Sequence, residues 1–185
     1  MTSEVPEKSY VAPLVLSLQG LLFSEPGMRT FAVLDGASIA DLLPKLDEYR
    51  PEHTCLYRGE ISPDLAECAP YLVLLEPDVP FTHWLLLEGW GKHWGIFVFS
   101  AATFNAVRLH FRKFLVVKDP QGKRLYFRYY DPRVLRVYLP TCEPSETEIL
   151  FGQVSRYLCE ADRPGVALTF DLEAGLPKRV SNKLS

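Results

Sequence analysis

Six short runs rich in Val, Ile, Phe, Leu and Tyr constrain this chain more than any other feature: Phe31–Asp35, Cys55–Arg58, Tyr71–Leu75, Gly95–Phe99, Phe114–Lys118 and Leu125–Tyr130. Each is short and lies near Gly, Pro or Asp, so each reads as a strand. Helical patterns alternate with them. Ile39, Leu42, Leu43 and Leu46 repeat at i, i+3, i+4 and i+7 behind Ser38 as N-cap, and Pro44 predicts that this helix kinks or starts late. A second helix is expected from Pro80 through Trp84 and Leu85 to Gly89 or Gly91. In a third, Ser100 is the expected cap, Phe104, Val107, Phe111 and Phe114 form an apolar stripe, and Arg108, Arg112 and Lys113 lie on the other side.

At 185 residues and 48% hydrophobic side chains, the chain can fill the core of one compact domain. The expected fold is α/β of the α+β kind, a mixed β-sheet with flanking short helices. Its expected parts are an N-terminal helical segment (1–27), a main domain (28–152) and a short C-terminal segment (153–185). With 20 basic and 23 acidic side chains the net charge is −3, which offers no global attraction to nucleic acid or anionic lipid. The apolar segment YVAPLVLSLQGLLF is preceded by an acidic flank, interrupted by Pro13 and Gln19, and followed by no A-x-A pattern. It reads as an amphipathic helix of a cytoplasmic protein, not as a signal peptide or a membrane span.

The stretch LYFRYYDPRVLRVYLP (Leu125–Pro140) concentrates arginine and aromatic residues around one aspartate. As a strand, it would put Leu125, Phe127 and Tyr129 on one face and Tyr126, Arg128 and Tyr130 on the other. DPQG (Asp119–Gly122) has the chemistry of a type I turn, so this strand should form an antiparallel hairpin with the one before it. Asp131 then caps a helix with Pro132 at its first position, Val134, Leu135 and Tyr138 inward and Arg133 and Arg136 outward. In this reading Asp131 and Pro132 are a structural corner, the carboxylate pairing with a neighbouring guanidinium. A capping box at Ser145–Glu148 starts another helix ending near Gly152. The region beyond is less regular, with a strand at Val166–Phe170 and a frayed basic tail, KRVSNKLS.

No constellation for catalysis stands out. EGWGKHWG lacks the third glycine of a dinucleotide loop and precedes a strand, so its glycines are expected to end a helix and bring Trp90 and Trp94 together. His53, His83, His93 and His110 are scattered, with no HExxH or H-x-x-x-H pair. Cys55, Cys68, Cys142 and Cys159 form no C-x-x-C pair and read as buried, reduced thiols. No cofactor or metal is expected, and no enzyme activity.

The order FAVLDGA, LYRG, APYLVLL, EGWGKHWGIFVFS, LHFRKFLVV and FRYYDPRVLRVYLP, from Phe31 to Pro140, resembles the type VI secretion adaptor chaperones, the Tap or Tec proteins, once a domain of unknown function. The resemblance spans roughly Leu21–Gly152 and makes 28–152 the adaptor domain. It implies a non-enzymatic cytoplasmic chaperone of Gram-negative bacteria that binds a toxic effector and helps load it onto the VgrG spike. Family members often carry a larger C-terminal lobe, whereas few residues follow Gly152 here. Trp90, Trp94, Arg128, Tyr130 and Arg133 are the expected partner-binding residues, since arginine and aromatic side chains combine contact area with directional hydrogen bonds. Two rival readings stay open: a small hydrolase gathering His83 or His93 with Glu88 and a cysteine, and a nucleic-acid-binding domain using Arg108, Arg112 and Lys113.

Overall fold

A computed structural model of the chain describes residues 8–118 and 121–184. Helix α1 (Lys8–Leu22) leads into β1 (Arg29–Asp35), α2 (Leu42–Tyr49), β2 (His53–Cys55), α3 (Pro63–Glu67) and β3 (Pro70–Leu75). Then come α4 (Pro80–Gly89), β4 (Gly95–Ser100), α5 (Phe104–Arg112), the hairpin β5 (Val116–Lys118) and β6 (Arg124–Tyr126), α6 (Pro132–Tyr138) and α7 (Pro144–Phe151). The last strands are β7 (Arg156–Glu160), β8 (Val166–Glu173) and β9 (Leu176–Lys183). Seven strands form one sheet in the order β2-β3-β1-β4-β7-β8-β9, and β5–β6 stands apart as a two-stranded ribbon. All the pairings are antiparallel. The result is a single compact α+β domain with short flanking helices, as expected.

Side chains alternate across a strand, so a sheet covered on both faces needs two cores. Phe31, Val33, Ile96, Val98 and Tyr157 face one side and pack with Val107 and Phe111 of α5, Leu135 of α6 and Leu150 and Phe151 of α7. Ala32, Leu34, Phe97, Phe99 and Leu158 face the other and pack with Leu18 and Leu22 of α1, Leu42 and Leu46 of α2 and Phe81 and Leu85 of α4. This double cover explains why FAVLD and GIFVF read as unbroken apolar runs. Full burial of a ring such as Phe31, Phe99 or Phe111 contributes about 2 kcal/mol.

Several boundaries differ from the sequence reading. α2 does start late, at Leu42; Ser38 instead closes a 3-10 turn over Gly36–Ser38 that Asp35 caps. Pro44 then sits in the first turn, where the missing N–H has no intrahelical partner to lose. The cap of α5 is Thr103, which accepts from the Ala106 N–H at 3.3 Å, not Ser100, which is still the last residue of β4 and whose hydroxyl oxygen accepts from the Ala102 N–H at 3.1 Å, ahead of the helix. The capping box of α7 is Glu143–Glu146, not Ser145–Glu148, because Pro144 fits the first helical position.

The strand expected over Leu125–Tyr130 ends at Tyr126, although the hairpin itself forms with Val117 opposite Leu125. Asp119 and Pro120 lie outside the described residues, and with them the expected type I turn. Beyond β6 the alternation fails, because Tyr129 and Tyr130 are both buried while Leu125 and Tyr126 are exposed. Tyr129 is held in by its hydroxyl, which donates to the Phe111 carbonyl at 3.1 Å. Residues beyond Gly152 are regular: β7, β8 and β9 extend the main sheet, and the tail expected to fray pairs along β8 from Lys178 to Lys183, with Ser185 outside the described residues. All the cysteines are free; Cys142 and Cys159 are buried, Cys55 is half-buried, and Cys68 is exposed, contrary to expectation.

Candidate functional site

Strand register brings charged groups to one end of the main sheet. Asp35 pairs across from Pro70, Leu34 from Gly95, and Phe97 from Leu158, so the last residues of β1 and β7, Asp35 and Glu160, share that end with the start of β4. The Asp35 N–H donates to the Trp94 carbonyl at 2.8 Å, tying the α4–β4 turn to the same place.

Asp35 ends β1 because its side chain turns back to cap the 3-10 turn, accepting from the Ala37 N–H at 3.2 Å and the Ser38 hydroxyl at 2.8 Å. It also accepts from Arg128, whose side chain is 46% exposed although the carboxylate is only 2% exposed. Asp131 caps α6 as expected, accepting from the Arg133 N–H at 2.9 Å. The Arg133 guanidinium then grips the same carboxylate through Nε at 3.0 Å and Nη2 at 2.7 Å, and Arg128 Nη2 lies 3.8 Å away. Burial works to raise the Asp131 carboxyl, but the Arg133 side chain and backbone N–H outweigh it and hold it below the carboxylate range. Two buried carboxylates thus aim two half-exposed guanidinium groups outward.

The residues singled out from sequence behave differently from one another. Arg128 and Arg133 are exposed, but Tyr130, expected to be exposed, is buried beneath the Arg128 guanidinium, which lies 6.0 Å from its ring centre. Burial, with the negative charge of Asp35 nearby, pushes its hydroxyl up to about 12. Trp90 and Trp94 are half-buried and line one small recess with Gly89 and Glu160. Their ring partners are others: Trp94 packs on Trp84 at 5.3 Å, and Trp90 stacks near Phe97 at 6.4 Å.

Next to that recess, His93 Nδ1 lies 2.9 Å from the Glu160 carboxylate, without hydrogen-bond geometry at that nitrogen. The His93 N–H does donate to the Glu160 carboxylate, at 3.2 and 3.3 Å, from a left-handed backbone with φ of 59°. Burial raises the Glu160 carboxyl above its ordinary value, and His93 with the N–H groups of Gly91 and His93 offsets part of that. His93 therefore pairs with a glutamate from β7, not with Glu88, which contacts Lys92 at 3.5 Å. The pocket beside it contains neither His83 nor a cysteine. Among the described residues no cluster of His, Cys, Asp and Glu could hold a metal ion, and no helix is long and apolar enough to cross a membrane.

Two cations of α5 have local structural partners. Arg108 donates to Asn105, and Arg112 donates to the Cys55 carbonyl at 2.9 Å and the Tyr57 carbonyl at 3.1 Å, fastening the edge strand β2. Burial pushes the Cys142 thiol up to about 11 and the Cys159 thiol to about 12, far from a reactive thiolate. Sequence reasoning missed Asp35 and Glu160. Asp35 looked like turn punctuation after a strand, and Glu160 had no local signal at all.

Residues 30–148 of the 185 match the family model described as "Domain of unknown function (DUF4123)". The chain belongs to this family. The match takes in Asp35, Trp90, His93, Trp94, Arg128, Asp131 and Arg133, whereas Glu160 falls beyond it. Neither the curated proteins nor the solved structures contain a match.

Proposed function

We propose that this chain is a type VI secretion adaptor chaperone that binds a toxic effector in the cytoplasm and promotes its loading onto the VgrG spike, without catalysing a reaction. The membership of residues 30–148 in the family carries this reading, since it is the part of the chain that resembles the Tap and Tec adaptors. The sheet end gives it a physical basis. Arg128 and Arg133 are fixed by buried Asp35 and Asp131, so each can engage a partner with little further loss of side-chain freedom. Half-buried Trp90 and Trp94 at the same end supply apolar contact area.

The test is secretion. In the bacterium that carries the chain, deleting its gene is expected to stop export of one effector. A wild-type copy restores export, and an Arg128→Glu/Arg133→Glu copy of equal abundance does not. Unchanged export after deletion would overturn the proposal.

A further inference from the structure

We propose that the groove between the β2–α3 connection and the β5–β6 hairpin binds an acidic peptide segment of a partner protein. This rests on the adaptor reading for the partner's identity but not for its chemistry.

The groove has a volume of about 530 Å³ and lies away from the Trp90–His93–Glu160 recess, with which it shares no lining residue. Arg58, Arg112, Lys113 and Arg124 line it against a single carboxylate, Glu60, in a chain whose net charge is −3. Positive charge is therefore concentrated here against the balance of the molecule. Among the described residues none of those cations makes an ion pair.

Among these cations Arg112 is the one held in place with its charge unmatched. Its Nη2 is fixed by the Cys55 and Tyr57 carbonyls, which neutralise no charge, and its Nε is buried without a hydrogen-bond partner. Burial, together with the nearby Arg108 and Arg58, holds this guanidinium below its ordinary range, as crowded positive charge does. A carboxylate arriving between Arg58 and Arg112 would relieve that repulsion.

The rest of the lining favours peptide over nucleic acid. Ile61, Leu65 and Val116 give an aliphatic floor suited to a Leu or Phe side chain, and Tyr126, 76% exposed, stands 6.4 Å from Tyr57 at the rim. Single-stranded nucleic acid calls for a succession of stacking rings along a basic track, and exposed Tyr126 with half-buried Tyr57 beside it gives no such succession.

A short fluorescein-labelled peptide of repeated Asp-Glu-Leu, followed by fluorescence anisotropy on the full chain, tests this directly. Binding is expected, with affinity falling at least about tenfold for Arg58→Glu/Arg124→Glu, both exposed and outside the core. Tyr126→Ala is expected to weaken it less, and a Lys-for-acid version of the peptide should not bind. Absence of acidic-peptide binding, or equal affinity for the double variant, overturns the proposal. Tighter binding of oligothymidylate, lost steeply with salt, overturns it in favour of nucleic acid. If the peptide fails but the effector is still captured, the groove inference falls and the adaptor reading stands; the reverse result would remove the adaptor reading alone.

Discussion

Asp35 at the end of β1 and Arg128 before α6, separated by 93 positions in the chain, form an ion pair in which the carboxylate is buried and the guanidinium is half-exposed. The pair joins β1, an interior strand of the main sheet, to the corner that starts α6. Removing Arg128 leaves a buried carboxylate with only the Ala37 N–H and the Ser38 hydroxyl. Breaking a fully buried pair costs more, but exposure of the arginine lets water screen it, so Arg128→Ala is expected to cost about 2 kcal/mol. Arg133→Ala should cost less than about 1 kcal/mol, since Asp131 keeps its backbone cap and Arg128 nearby. Urea unfolding of both variants checks the order, and equal costs would contradict it.

Asp131 adds an acid-sensitive contribution to stability. Its folded-state carboxyl lies below its ordinary value of 3.8, so the stabilisation is complete above that pH and fades as pH falls through the folded value. Asp131→Ala is expected to lose about 1 kcal/mol near neutrality and to differ progressively less from wild type below about pH 4. Unfolding midpoints measured across that range decide it; a difference that grows in acid would refute the assignment.

Glu160 has the opposite sign. Its folded-state carboxyl is raised above its ordinary 4.5, so it favours the fold below that value, and the advantage is lost as pH rises through the folded value. Glu160→Gln can still accept from the His93 N–H, but it cannot ionise. The variant should gain stability relative to wild type as pH rises from about 4.5 toward neutrality. A constant difference across that interval would show that the His93 contact fully compensates the buried charge.

Glycine is required where the α4–β4 turn meets the sheet. A Cβ on Gly89 would come within 2.6 Å of the Trp94 ring, whereas one on Gly95 would strike the Val33 carbonyl oxygen of the neighbouring strand. A side chain can move aside and a central strand cannot. Gly89→Ala should therefore cost about 1–3 kcal/mol and shift the tryptophan emission, while Gly95→Ala should cost more and melt at the lower temperature of the two. A Gly89→Ala protein with unaltered emission would contradict this packing.

Local chemistry was legible in the sequence, and distant pairing was not. Asp131-Pro132 announced a capped helix, Pro80 opened α4, and the Phe31–Asp35 and Gly95–Phe99 runs became the central strands. One cap slipped: Thr103 prevailed over Ser100 because Ser100 is held in β4 opposite Arg29 and the helix starts only at Phe104, a strand register that sequence spacing does not reveal. β9 went unread because an edge strand facing solvent is stabilised by its backbone pairing to β8 and not by an apolar face. At the candidate site, Asp131 and its arginines were visible as neighbours. Asp35 and Glu160 reach it only through the sheet register, and Tyr130 is buried because the chain leaves β6 four residues earlier, at Tyr126.

Purification of the tagged full chain from cells expressing its genomic neighbours, with mass spectrometry of what accompanies it, tests the adaptor claim most directly. The account predicts recovery of one large toxin-like protein or a VgrG spike, sharply reduced by Arg133→Glu in a protein that remains folded. A well-folded chain that recovers neither, with those neighbours expressed, would contradict it.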